Sequence, residues 1–236
     1  MNIQILSDFI LRMNSRKIRR NIENPIKEWP QKVVSEQMGC DRGTPVDRYY
    51  IEKFLEQNIH YIVGDVMEIG DNSYTLKYGK KLVESYIFTA DTGFKNKSSK
   101  VVYGDLQSGM GCQENYLDCF ILTQTLPFIY DVQSAANNIV KMLKEGGTAL
   151  ITVSGISMVS KYDDSRWGHY WGFTETGLRK LFESVHGVKS VEIQAMGNPK
   201  TAAAFLYGLC VQDLAKSDFE VDDKLVPVMI SAVVKK

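Results

Sequence analysis

The sequence predicts a doubly wound α/β fold: a mostly parallel, seven-stranded sheet with helices on both faces. Three observations lead there. From residue 64 onward, short apolar runs of strand length alternate with amphipathic runs of helix length. The fourth apolar run, "YLDCFILT" (116–123), is almost unbroken, as a strand covered on both faces should be. Carboxylates, amides or a lone glycine stand just past the first four runs, at the strand ends where open α/β sheets bind ligands.

The elements follow in order. Residues 1–40 read as helical and basic in the middle, with Arg12, Arg16, Lys17, Arg19 and Arg20. They suit a solvated helix face, with contact to an anionic partner as the sharper alternative. "GTPVDRYYIEKFLEQN" (43–58) reads as a second helix, with Thr44 as N-cap and Pro45 in first helical position. "GDVMEI", "KLVESYIFTAD", "SKVVYGDL" and "YLDCFILT" are strands one to four. "DVQSAANNIVKMLKE" is an amphipathic helix, expected to end at Gly146 and Gly147. "TALITVSG" is strand five. "TETGLRKLFESV" is a helix capped by Thr174, and "PKTAAAFLYGLCVQDL" is a helix between the late strands "VKSVEIQAM" and "VPVMISAVVK".

Composition narrows the function. The 236 residues are 44% apolar and 24% charged, as in an ordinary globular protein. Lys plus Arg equals Asp plus Glu, which argues against a dedicated nucleic-acid binder. Four scattered cysteines with no CxxC pair suit a reduced, cytoplasmic protein. No apolar run approaches the ~20 residues of a membrane helix, and "MNIQILSDFILRM" does not read as a signal peptide.

The strand ends carry the chemistry. Strand one offers Glu68, Gly70 and, in the loop beyond, Tyr74. Strand two offers Asp91, strand three Asp105 and Leu106, strand four Thr123 and Gln124. Asp91 lies 21 residues after Gly70, near the spacing at which a carboxylate reaches a ribose diol. Asp105 can accept from an adenine amine, with Leu106 against the ring. No GxGxxG follows strand one and no GKS or GKT appears, so nothing cradles a pyrophosphate. An adenosine without phosphates, surrounded by acids, points to S-adenosylmethionine, whose sulfonium and amino groups are cationic. For Glu68 and Tyr74 the plain alternatives are a turn cap and a packed ring.

These segments resemble, in order, the five motifs of class I S-adenosylmethionine-dependent methyltransferases. They are "VMEIGDNSY", Asp91, "GDL" (104–106), "LDCFILTQTLPFIYD" and "IVKMLKEGGTALITV". "HYWGFTETGLRKLFE" is similar to a segment of small-molecule and sugar-modifying branches. The resemblance covers residue 42 to the end and keeps one glycine of the usual three in the first motif. It implies a Rossmann-like methyltransferase domain over 42–236, after an N-terminal helical extension over 1–41. It also implies that the 43–58 helix folds over the cofactor mouth.

The acceptor side is expected in "SKYDDSRWGHYWGF" (160–173), a loop more aromatic and charged than a turn needs. Asp163, Arg166, Tyr170 and Trp171 are candidate acceptor contacts, and Arg42, Arg48 and Tyr50 a second set. His169 is the candidate general base, since imidazole titrates near neutrality; its alternative is a structural hydrogen bond. No metal constellation stands out. The expected activity is O-methylation of a small molecule or saccharide, because no N/D-PP-Y/F motif follows strand four. A non-catalytic S-adenosylmethionine-binding module is the alternative. The partners expected are the small acceptor alone, with no nucleic acid and no membrane span.

Overall fold

The computed structural model describes residues 29–96 and 99–236. Residues 34–236 form one unit, and residues 29–33 are the described part of a second. The basic segment around Arg12–Arg20 lies outside the described residues. Within 29–40 the expected helix is replaced by bends and turns. Pro30 lacks a donor, and the Ser35 hydroxyl accepts from the N–H groups of Gln37 and Gly39, so the side chain competes with a helix.

Seven strands make one sheet in the order β3-β2-β1-β4-β5-β7-β6. They are β1 (Gly64–Ile69), β2 (Leu82–Thr89), β3 (Lys100–Tyr103), β4 (Leu117–Thr123), β5 (Leu143–Ser154), β6 (Ser190–Met196) and β7 (Met229–Lys235). β1 to β5 pair in parallel, and β7 lies antiparallel between β5 and β6. The helices are α1 (Val46–Gln57), α2 (Ser73–Tyr78), α3 (Val132–Met142), α4 (Lys161–Trp167), α5 (Glu175–Glu183) and α6 (Pro199–Tyr207). None of them is long and apolar enough to cross a membrane. All four cysteines are free thiols.

Side-chain alternation in the central strands builds a core on each face of the sheet. Phe120 and Leu122 of β4 meet Ala135, Ile139 and Val140 of α3 and Leu178 and Phe182 of α5. Cys119 and Ile121 point the other way, toward Tyr50, Ile51, Phe54 and Leu55 of α1 and Phe205 of α6. At the amino ends, Lys144 donates to Asp65 at 2.7 Å and to Asp118 at 2.8 Å, tying β1, β4 and β5 together.

Three boundaries differ from the sequence reading. Pro45, not Thr44, is the N-cap of α1, and the Thr44 hydroxyl accepts from the Gln212 amide instead. α3 stops at Met142, because Leu143 turns extended and joins β4 as the start of β5; Gly146 sits inside that strand at φ 81. α6 ends at Tyr207, where Gly208 adopts the left-handed cap conformation.

The start of α6 depends on a buried Asn198. Its Oδ1 accepts from the N–H groups of Lys200 and Thr201, at 3.0 and 3.1 Å. Its Nδ2 donates to the carbonyls of Asp218 and Val221, both at 2.8 Å. Asn198→Ala should lower unfolding free energy by about 2–3 kcal/mol, a lost cap plus stranded carbonyls. Urea denaturation checks this; a change below about 0.5 kcal/mol would mean water replaces the amide.

Candidate active site

β1 has β2 on one side and β4 on the other. Chains leaving the carboxyl ends of β1 and β4 therefore part to opposite faces, which opens a crevice at the switch point. A cavity of about 720 Å³ lies there, within the usual range for a small-molecule site. Ile69 and Gly70 at the end of β1, Thr89 and Ala90 at the end of β2, Gly104 to Gln107 after β3, Thr123 to Thr125 at the end of β4 and Ser154 of β5 form its floor. Asp47 and Arg48 from the start of α1 close one side. Phe128, Tyr130, Asp163, Trp167, His169 and Tyr170 close the outer end.

Gly70 is held at φ 80, and its N–H donates to the Phe88 carbonyl. That backbone region is costly for any residue with a Cβ. A Cβ built on Gly70 meets no atom within 4 Å, so the position opens onto space. Glu68 is 2% exposed and does not line this cavity. Its carboxylate accepts from the N–H of Tyr74 (3.2 Å) and from the N–H and hydroxyl of Thr75 (both 2.8 Å). It therefore caps the first turn of α2, the plainer of the two sequence readings. Tyr74 receives the Arg48 guanidinium at 3.1 Å. Glu68, Tyr74 and Arg48 line a smaller adjoining recess, and Arg48 borders both.

Asp105 accepts from the N–H groups of Gln107 (2.8 Å) and Ser108 (3.3 Å), which curls its loop around the cavity edge. Asn138 holds the Leu106 carbonyl at 2.8 Å. Gln124 adopts φ 51, and its Oε1 accepts from Ser154 at 2.9 Å. Its buried Nε2 has no hydrogen-bond partner, the single such side-chain atom among the described residues. Gln124 thus combines a left-handed backbone with an unpaired buried donor at the cavity floor.

His169 lies on the outer wall with its ring 5.0 Å from Phe128. Its Nδ1 accepts from the Ser160 N–H at 3.2 Å. The neutral ring then carries its proton on Nε2, so the free nitrogen is a donor rather than a base. Ser160 also caps α4, a short helix inside the segment read as a loop, and its hydroxyl donates to Asp163 at 2.6 Å.

Several expected residues stand elsewhere. Tyr50 is fully buried and donates to Thr201, so it packs the core and does not line the cavity. Arg42 pairs with Asp213 outside the cavity. Asp91 is exposed just past β2 and accepts from the Gly93 N–H within its own turn; Thr89 and Ala90 line the cavity in its place. Arg166 stacks on Tyr162 at 3.6 Å, away from the wall. Trp171 spends its indole N–H on the carbonyls of Ile129 and Tyr130. The sequence reading placed Asp47 on the helix over the mouth without giving it a contact, and did not select Phe128 or Tyr130. The "LPFIYD" run after strand four held both in plain view.

Solved structures share this architecture. An S-adenosylmethionine-dependent methyltransferase from Archaeoglobus fulgidus aligns with a TM-score of 0.53 at 14% identity, over 80% of this chain and 94% of its own. N-methyltransferase NodS from Bradyrhizobium japonicum WM9, solved with S-adenosyl-L-homocysteine, aligns at 0.52 and 14% identity, over 84% and 94%. A methyltransferase of the same dependence from Mesorhizobium loti gives 0.52 at 10% identity, over 81% and 98%. No protein-family model and no curated protein matches the sequence. The chain therefore has the class I methyltransferase fold.

Glu68 also makes the site pH-sensitive. Burial pushes its carboxyl from 4.5 up to about 7, against the Thr75 and Tyr74 donors that hold it down. The raised value means that the folded state binds the proton more tightly. This contribution is full below pH 4.5 and is lost as pH rises through about 7. Glu68→Gln keeps an acceptor but does not titrate. The stability of the parent relative to this variant should fall by up to about 3 kcal/mol from pH 4.5 to 7.5. Unfolding at stepped pH measures it; a constant difference would refute the buried, proton-binding carboxyl.

Proposed function

We propose that this chain is an S-adenosylmethionine-dependent methyltransferase, acting on oxygen of a small hydroxylated acceptor such as a saccharide. One observation carries the cofactor reading. The cavity at the strand switch point has an open glycine at its floor, three carboxylates (Asp47, Asp105, Asp163) and one guanidinium (Arg48) on its walls. Such a wall suits a cationic sulfonium and an amino-acid zwitterion, and it contains no phosphate-cradling loop. Gly70 then lies under the methionine portion, where only a missing side chain leaves room. Arg48 takes the methionine carboxylate and Asp47 the ammonium. Asp105, Leu106, Thr123 and Gln124 face the nucleoside and the transferred methyl, and Asp91 reaches the ribose only if its turn opens.

The acceptor half rests on the outer wall. His169 offers an Nε2–H to an acceptor oxygen and positions it. Asp163, beside it on the same wall, is the group able to take a hydroxyl proton as the O–C bond forms and the C–S bond breaks. The absence of an N/D-PP-Y/F motif after β4 supports oxygen over nitrogen.

Mass spectrometry of the protein as purified, followed by calorimetry with S-adenosylhomocysteine, tests the cofactor reading. Gly70→Val should weaken that binding at least tenfold while circular dichroism stays native; normal binding would remove the loop after β1 from the site.

A positioning role for His169 makes a different forecast from a base. His169→Asn keeps an acceptor for the Ser160 N–H. It should raise the acceptor's KM severalfold with kcat nearly unchanged. A base would instead lose ~10²–10⁴-fold in kcat, and steady-state kinetics separates the two.

A further inference from the structure

We propose that the acceptor is a small organic cation carrying an alkylammonium group, an inference that rests on the methyl-transfer reading because it fills the outer end of the same cavity. Three observations support it. The first is a fixed aromatic corner. Tyr130 and Tyr170 are 66% and 47% exposed, with centroids 5.4 Å apart and planes at 75°. Trp171 stacks behind Tyr130 at 6.0 Å, locked by its indole N–H to the carbonyls of Ile129 and Tyr130. Tyr170 lies directly over Gly168, where a Cβ would come within 2.3 Å of its ring. Glycine at 168 is thus what lets the ring lie flat against the backbone.

The second observation is charge. Asp163 is the one acid on the outer cavity wall, and its Oδ2 is already held by Ser160. The third is that nearby cations are turned away or neutralised. The Arg166 guanidinium is stacked on Tyr162 and donates to the Tyr162 carbonyl. Lys161 is paired with Glu36. An exposed edge-to-face tyrosine pair on the cavity wall that also carries Asp163, with no Lys or Arg on that wall among the described residues, favours an ammonium over a neutral or anionic group. The ammonium and the hydroxyl that takes the methyl then lie on one molecule, close enough together for Asp163 to meet both.

Choline and 3,3-dimethyl-1-butanol have nearly the same shape and differ in charge. Both are titrated into the protein loaded with S-adenosylhomocysteine, followed by ligand line broadening in proton NMR. Choline should bind at least about fivefold more tightly. Tyr170→Leu, which keeps apolar bulk but removes the π face, should shrink that preference severalfold while S-adenosylhomocysteine affinity holds, and Asp163→Asn should shrink it as well. Equal binding of the two probes, or saturable binding of neither, overturns the inference. Failure of S-adenosylhomocysteine to bind in its own titration overturns the methyl-transfer reading instead. The two probes are then compared on the ligand-free protein, where the charge preference stands or falls separately.

Discussion

The site is organised around one buried carboxylate. Glu68 is the last polar residue of β1, and three donors from Tyr74 and Thr75 converge on it. An isolated buried carboxylate is strongly disfavoured, so these bonds are what permit an acid in the middle of the sheet. They also fix where α2 begins. With β1 and the first turn of α2 pinned, residues 70 to 72 must cross between them. Gly70 takes φ 80 to do so, and the Asn72 amide anchors the crossing on the hydroxyls of Ser85 and Ser99. The glycine that opens the cavity is therefore a consequence of the cap.

From this cap the charge pattern extends outward. Tyr74, whose N–H the Glu68 carboxylate holds, receives Arg48, and Arg48 sits beside Asp47 at the cavity wall. Burial pushes the Asp47 carboxyl up, with the neighbouring guanidinium drawing it back. A polar chain runs from the core of β1 to the ligand space, and α1 is held over the mouth by the same contacts. The cavity wall at Arg48 and the β1–α2 joint are thus parts of one hydrogen-bonded chain.

How much of this the sequence disclosed follows from where each signal comes from. Strands were legible because burial on two faces leaves few residue types available, as "LDCFILT" shows. Helix ends at Thr174 and Asp131 were legible because a hydroxyl or carboxylate cap is a local event. The end of α3 was not, since Leu143 leaves the helix to pair with Leu117, a partner 26 residues earlier in the chain. That Gly70, Asp105 and Gln124 line the cavity was legible from their place after a strand. That Tyr50 and Asp91 fall outside the cavity lining was not legible, because exposure is a tertiary property: one faces α6 through Thr201, the other curls into its own turn. The burial of Asp47 was hidden too, because nothing local distinguishes a buried acid on α1 from the solvated acids that follow it.

Methyl transfer depends on alignment, and a displacement of about 1 Å in a reacting group can cost two orders of magnitude. Here the floor of the cavity and its outer wall are built as one piece. The carbonyl of Pro127, just after β4, accepts from the N–H of Tyr170 at 2.9 Å and of Trp171 at 3.3 Å. The Phe173 N–H reaches Ser154 at the end of β5, and the Ser154 hydroxyl in turn holds Gln124. The segment carrying the aromatic corner is thus bonded to the turn after β4, just beyond Thr123 and Gln124, and to the end of β5. Proline at 127 has no N–H of its own, but its carbonyl faces the acceptor segment and takes two donors from it. A floor and a wall joined by main-chain bonds cannot drift apart as side chains can. That rigidity, rather than a strong base, is what this architecture offers catalysis.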